Sequence, residues 1–224
     1  SLFNSDSTQF VGLRNYIDVF TERIMQEAWR NNILWVIVGT ALSVILGLLI
    51  AILADRSRFE TIAKALIFMP MAISMVGAGV IWKFVYNIDP NIGILNAIVV
   101  ALGGEPQPWL TLVQPWNNLF LILVVVWLQT GYAMVLISAA IKGIPEELLE
   151  AARVDGANEI RIFFSIIIPN IMGTLITVIT TVVIFTLKIF DVVMVMTGGQ
   201  FGREVIGVRF YRVMFTGNNA AVGS

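Results

Sequence analysis

Four stretches of this chain carry no charged residue: 33–54, 65–82, 119–141 and 162–187. They contain 22, 18, 23 and 26 residues, and about 20 residues of helix cross a bilayer core of about 30 Å. In lipid the backbone polar groups of a segment must be satisfied internally, which makes the helix the natural state for each run. A large soluble protein can bury one such helix, but four within 224 residues point to a membrane. Hydrophobic residues make up 58% of the chain and charged residues 13%, outside the range of an ordinary soluble domain. The expected fold is an all-α polytopic membrane protein with four transmembrane helices, near 33–54, 65–86, 118–141 and 166–188.

The chain contains neither Cys nor His. Disulfides, thiolate nucleophiles, haem ligation through His, the usual zinc sites and Ser-His-Asp catalysis are thereby excluded. No catalytic or metal-ligating residue stands out. A net charge of −1 gives no sign of a nucleic-acid partner. No G-x-x-x-x-G-K-[ST] pattern occurs, so ATP is not bound by that route, and any energy source has to sit on another subunit.

Between the third and fourth runs lies a short polar segment, 142–165. Pro145 suits the first turn of a helix, and Glu146 and Glu147 suit its positive end. Leu148, Leu149, Ala151 and Ala152 would form its compact middle. Asp155 breaks it, and Gly156 stands where a residue with positive φ is wanted. From Ala157 the chain can restart as a second helix that enters the fourth run and is bent by Pro169. Small residues at 151, 152, 156 and 157 would let another protein approach the backbone closely.

Glu150-Ala151-Ala152, then Gly156, then Ile166-Ile167-Ile168-Pro169 resembles the EAA-x3-G-x9-I-x-L-P signature of permease subunits of binding-protein-dependent ABC importers, with Ile168 in place of the usual Leu. Two further elements resemble the carbohydrate, maltose-type branch. Phe10-Val11-Gly12-Leu13-Arg14-Asn15-Tyr16 is similar to its F-V-G-L-x-N-Y element, although these residues alone also suit a short interfacial helix. Phe190-Asp191 followed by Thr197-Gly198-Gly199 is similar to its F-D-x5-T-G-G element, and the continuation Gln200-Phe201-Gly202-Arg203-Glu204-Val205-Ile206 is closer to the alpha-glucoside branch.

The resemblance implies a single transmembrane permease domain over 1–224 with a six-helix core, of which one helix would lie upstream of Ser1 and one downstream of Ser224. It implies an ATPase-coupling role for Glu150, Ala151, Ala152, Asp155, Gly156, Ala157 and Pro169. The implied partners are cytoplasmic ATPase subunits that carry ATP and Mg, a second permease subunit in a heterodimer, and an extracytoplasmic sugar-binding protein. The implied location is a bacterial-type inner membrane, with the bilayer as a further partner.

Charge distribution tests the orientation. With 142–165 in the cytoplasm, the short loops there hold Arg56, Arg58, Lys64, Lys142, Arg153 and Arg161. The other side holds Arg14, Arg23, Arg30, Arg203, Arg209 and Arg212, with Lys83 and Lys188 at the outer ends of their spans. The raw count opposes this topology and the charge density favours it, so orientation rests on the motif.

A sugar passage needs hydrogen-bonding groups and aromatic faces in an apolar setting. On the third span Trp127, Thr130, Met134 and Ser138 form one stripe, with Gln129 and Tyr132 beside it. On the fourth, Thr174, Thr177, Thr181 and Lys188 form another, with Thr180 nearby. Trp127, Gln129, Thr130, Tyr132, Thr177 and Thr181 are the passage candidates. Ser and Thr also serve as ordinary contacts between membrane helices. Lys188 and Asp191, three residues apart, are expected to pair locally. The span interiors hold no cations aimed inward, which favours neutral cargo over anions. An ion-coupled secondary carrier for a neutral small solute is the competing class, but such carriers usually place Asp or Glu within their helices, and none of the four runs has one.

Overall fold

The computed structural model describes residues 10, 12–13, 17, 20–55, 57–200 and 202–216. Most of the 10–16 element therefore lies outside the described residues, as do Arg56 of the first charged turn and Phe201. The regular elements are helices. The chain divides into two compact units: a hairpin unit of Gly39–Ile73 and Val125–Phe185, and a loop unit of Ser1–Val38, Ser74–Val124 and Thr186–Ser224.

Helix α1 (Arg23–Asp55) runs unbroken for 33 residues and so begins well before the uncharged run. Met25, Ala28, Asn31 and Asn32 are buried at helical spacing, so amphipathic packing holds the opening turns before the helix becomes apolar all round. The expected second span, 65–86, is not one helix. α2 (Glu60–Ala72) ends in a 3-10 turn containing Pro70, and Ile73 is extended at φ −85° and ψ 135°. Ser74 then caps α3 (Met75–Val85), its hydroxyl accepting the Gly77 N–H at 3.1 Å. A serine that satisfies an orphan N–H makes this restart favourable.

The connection at 87–117 is not featureless. It contains α4 (Ile94–Ala101), anchored by the fully buried Asn96, whose amide donates to the carbonyls of Asn87 at 2.8 Å and Gln107 at 2.9 Å. The third span is α5 (Trp116–Lys142), 27 residues without a break. α6 (Glu146–Val154) follows, and the fourth span is a bent pair, α7 (Glu159–Asn170) and α8 (Met172–Leu187), meeting at 70°. Pro169 was expected to bend this span, and the break falls two residues later at Ile171. α9 (Asp191–Thr197), α10 (Ile206–Tyr211) and a π-helical turn at Arg212–Thr216 complete the described chain. Among the described residues α1 and α5 are each long and apolar enough to cross a membrane, and the two broken pairs meet the same measure only where each pair is counted as a single span. The protein is an all-α membrane protein.

The hairpin unit packs around Ala51, Ala133, Met134, Ile137, Ile171, Leu175, Val178 and Val182. Glycines set its closest approaches. A Cβ on Gly47 would stand 2.5 Å from the Cβ of Ala133, and one on Gly131 would stand 2.5 Å from the Ile67 carbonyl oxygen. α5 therefore touches α1 and α2 nearly backbone to backbone.

In the loop unit two adjacent asparagines on α1 hold the segment after α9. The Asn31 amide donates to the carbonyls of Gly202 at 2.9 Å and Glu204 at 2.8 Å. Asn32 accepts the Ile206 N–H at 2.9 Å and donates to the Leu187 carbonyl at 3.3 Å. Gln114 donates to the Gly202 carbonyl and accepts from Arg30. Asn118 donates to Asn31 at 3.2 Å and accepts from Trp35 at 3.4 Å. Lys188 and Asp191 form no ion pair. The helix ends at Leu187 and Asp191 opens α9, so the regular spacing assumed for the pair is lost.

Candidate functional site

The 142–165 hairpin takes the shape its residues suggest. Pro145 immediately precedes α6 at φ −57° and ψ 131°, one position before the first turn in which it was expected. Glu146 and Glu147 occupy the first turn and Arg153 the last, each matched to the helix dipole. Asp155 terminates the helix and Gly156 takes φ +81°. The Gly156 N–H then bonds the Arg153 carbonyl and the Ala157 N–H bonds that of Ala152, both at 3.0 Å. That pair of bonds is a Schellman closure, which satisfies carbonyls the helix end would otherwise leave orphaned. Asn158 caps α7 by accepting the Arg161 N–H at 2.8 Å.

Arg153 Nε donates to Glu159 Oε1 at 3.0 Å and so ties α6 to α7. The hydrogen bond from Glu159, and then its charge, raise the Arg153 pKa above the usual guanidinium value. Glu150, Ala151, Asp155 and Gly156 are exposed, while Ala152 and Ala157 are partly covered. Around them Leu148, Val154 and Ile160 expose apolar side chains, Val154 to 87%. A Cβ placed on Gly156 would meet nothing within 4 Å. Space outside the turn is thus open, and only the positive φ restricts that position. Pro169 lies at the far end of α7, exposed, and does not join this surface.

At the root of the hairpin the structure assembles a charged cluster that sequence reading missed. Lys64 Nζ lies 2.5 Å from both Asp55 Oδ1 and Glu60 Oε1. It also donates to Ser138 Oγ at 2.5 Å, and Ser138 donates to Asp55 Oδ1 at 2.7 Å. Lys142 pairs with Glu60. Asp55, Glu60 and Lys64 read in sequence only as a charged turn, and Ser138 only as part of a membrane stripe. The available signal was the 60/64 spacing of opposite charges on one helix face. Nothing local in the sequence brings Ser138 and Lys142 to them.

The passage candidates separate. Gln129 and Thr130 are buried, the Thr130 hydroxyl donating to the Val126 carbonyl at 2.6 Å. Trp127 and Tyr132 are partly exposed. Met134, placed on the same stripe by its spacing, belongs to the core. α8 turns Leu175, Val178 and Val182 into that core and leaves Thr177, Thr180 and Thr181 exposed. Their hydroxyls donate to carbonyls one turn back, at 3.0, 2.7 and 2.9 Å. Among the described residues, none of these three hydroxyl bonds reaches the α5 stripe. Nor, among those residues, do three Asp or Glu side chains come together in a way that could hold a metal ion.

Residues 24–222 match the family described as "Binding-protein-dependent transport system inner membrane component". The chain belongs to that family. It is 53% identical over 228 residues to the osmoprotective compounds uptake permease protein GgtC of Synechocystis sp., covering 100% of this chain and 81% of that one. It is 52% identical over 221 residues to the alpha-glucoside transport system permease protein AglF of Rhizobium meliloti, covering 97% of this chain and 66%, just under two thirds, of that one. Its fold is similar to a chain in the crystal structure of a bacterial alginate ABC transporter bound to an alginate pentasaccharide-loaded periplasmic protein. That likeness has a TM-score of 0.82 at 20% identity, over 95% of this chain and 75% of the other. The expected permease family and all-helical membrane fold are thus borne out. Membership makes the chain a membrane component of a binding-protein-dependent transport system.

Proposed function

We propose that this chain is a permease subunit of an ATP-driven importer for neutral sugars, alpha-glucosides or related oligosaccharides, in a bacterial-type inner membrane. The observation that carries the sugar class is the identity above 50%, over nearly the whole chain, to permeases named for alpha-glucoside and osmoprotectant uptake. In this reading the chain performs no chemistry. Two ATPase subunits carrying ATP and Mg dock on the cytoplasmic hairpin, a second permease completes the passage, and an extracytoplasmic binding protein delivers the sugar.

The hairpin suits docking for physical reasons. Glu150, Ala151, Asp155 and Gly156 present a small-residue surface, ringed by Leu148, Val154 and Ile160, that this chain itself leaves uncovered. The Schellman closure and the Arg153–Glu159 bridge make it stiff enough to transmit force. Ala152 and Ala157 back the surface, and Pro169 sets the bend through which α7 leads into α8.

Thr177 and Thr181 supply the polar wall of the passage, and Trp127 and Tyr132 supply partly exposed aromatic surface on which a pyranose ring can stack. Gln129 and Thr130 are passage candidates that would contribute from behind, since both are buried in this chain.

The test is uptake of labelled maltose, trehalose and sucrose into proteoliposomes holding the complete transporter. ATP-dependent uptake that needs the binding protein supports the reading; uptake driven by an ion gradient without ATP overturns it. Orientation is tested with cysteines introduced singly at Asn158 and Gln107. A membrane-impermeant thiol reagent should label only the second in intact cells, over no background from native Cys.

A further inference from the structure

The charged cluster at the hairpin root joins parts of the chain that sequence separation would leave independent. Asp55 ends the first span, Glu60 and Lys64 open α2, and Ser138 and Lys142 end α5 just before the hairpin. The charges alternate along the bonded path, from Asp55 to Lys64 to Glu60 to Lys142. The inner half is well covered, with side-chain exposures of 18% for Lys64 and 14% for Asp55, and Ser138 is buried. Asp55 Oδ2 is buried as well and accepts no bond from the described residues.

Apolar helix faces can slide past one another with little change in buried area. A network of ion pairs that bridges helices cannot, because a slide pulls those pairs apart and leaves a covered charge unpaired. We propose that Asp55, Glu60, Lys64, Ser138 and Lys142 form a rigid clamp through which displacement of the hairpin is delivered to α1 and α2 as well as to α5 and α7. These are positioning residues, and the inference rests on the coupling role proposed above. The hairpin is covalently continuous only with α5 and α7, so without the clamp α1 and α2 would feel its motion only through apolar contact.

The experiment uses the complete reconstituted transporter and reads sugar imported per ATP hydrolysed, together with co-purification of the ATPase subunits. Lys64→Met should lower that ratio about fivefold or more while the subunits still co-purify and ATP is still hydrolysed, and Lys64→Arg should keep it near the parent value. A cysteine pair, Glu60→Cys with Lys142→Cys, is joined by a bis-methanethiosulfonate reagent about as long as the ion pair it replaces. The reduced sample lacks the outer link, so its sugar-per-ATP ratio should fall, and cross-linking should bring it back to within about twofold of the parent, because a clamp that stays closed loses nothing by being locked. A parental ratio in Lys64→Met, or loss of transport on cross-linking that reduction restores, overturns the proposal. If Lys64→Met does not assemble, the cross-link decides alone. Failure of the underlying coupling role shows separately, as parental uptake in Gly156→Trp whatever happens at Lys64.

Discussion

The two units hold segments distant in sequence against a membrane helix with a different balance of chemistry. In the loop unit, amide side chains do most of it: Asn31, Asn32 and Gln114 bond backbone groups of Leu187, Gly202, Glu204 and Ile206, with the ion pairs Arg209–Glu22 and Arg212–Glu204 beside them. In the hairpin unit, ions do it: Asp55, Glu60, Lys64 and Lys142 bond one another. An amide can donate and accept at once, so two neighbouring asparagines can satisfy an irregular backbone whose own partners are missing. Such a clasp is directional and local. Ion pairs are less directional and tolerate rotation, but they resist separation and are sensitive to salt where exposed. In the coupling role proposed above, the loop unit holds shape and the hairpin unit transmits displacement.

The largest effect is expected at the hairpin tip. Gly156→Trp should abolish coupled uptake, with a loss of roughly a hundredfold, because it combines a strained left-handed position with a bulky group on the docking surface. A Cβ at that position meets nothing within 4 Å, and the chain should still reach the membrane. Uptake assays paired with membrane immunoblots check this. Parental uptake would remove the hairpin from the coupling role proposed for it.

Next comes Asn31→Ala in the loop unit. It strips the donor from the Gly202 and Glu204 carbonyls, and an unsatisfied buried group costs about 1–3 kcal/mol. The expected result is a lower melting temperature of the purified complex with an unchanged sugar-per-ATP ratio. A changed ratio at normal stability would break the division between the units.

A milder loss is expected from Gly131→Ala. The added Cβ would press on the Ile67 carbonyl at 2.5 Å, forcing α5 and α2 apart at a cost of about 1–3 kcal/mol. Thermal unfolding of the assembled transporter would show it. The same substitution at Gly173, where a Cβ meets nothing within 4 Å, should leave stability within about 0.5 kcal/mol and serves as the control.

The smallest effect is expected from Thr177→Val and Thr181→Val. Each hydroxyl already bonds its own helix, so stability should change by less than about 1 kcal/mol, while the apparent KM for sugar should rise a few fold if these groups face the passage. Unchanged KM in both would make the face a packing surface.

Much of this protein was legible before any coordinates. Long uncharged runs can only be helices in lipid, so the all-helical class follows from 33–54, 119–141 and their fellows. The hairpin was equally legible, since Pro145, Asp155 and Gly156 act within one turn of themselves, through helix-end chemistry and a left-handed φ that is locally dictated. Element ends were less so. α1 begins at Arg23 because Asn31 and Asn32 are buried by a segment more than 150 residues away, and the second span breaks between Pro70 and Ser74, whose effect a count of uncharged residues does not reveal.

Tertiary structure alone decided two things. It divided the polar membrane residues, burying Gln129 and Thr130 while leaving Thr177 and Thr181 exposed, because helical spacing reports a shared face but not what packs against it. It also gathered Asp55, Glu60, Lys64, Ser138 and Lys142 into one cluster. Ion pairing depends on distance in space, and the 74 residues between Lys64 and Ser138 carry no local signal that the two will meet.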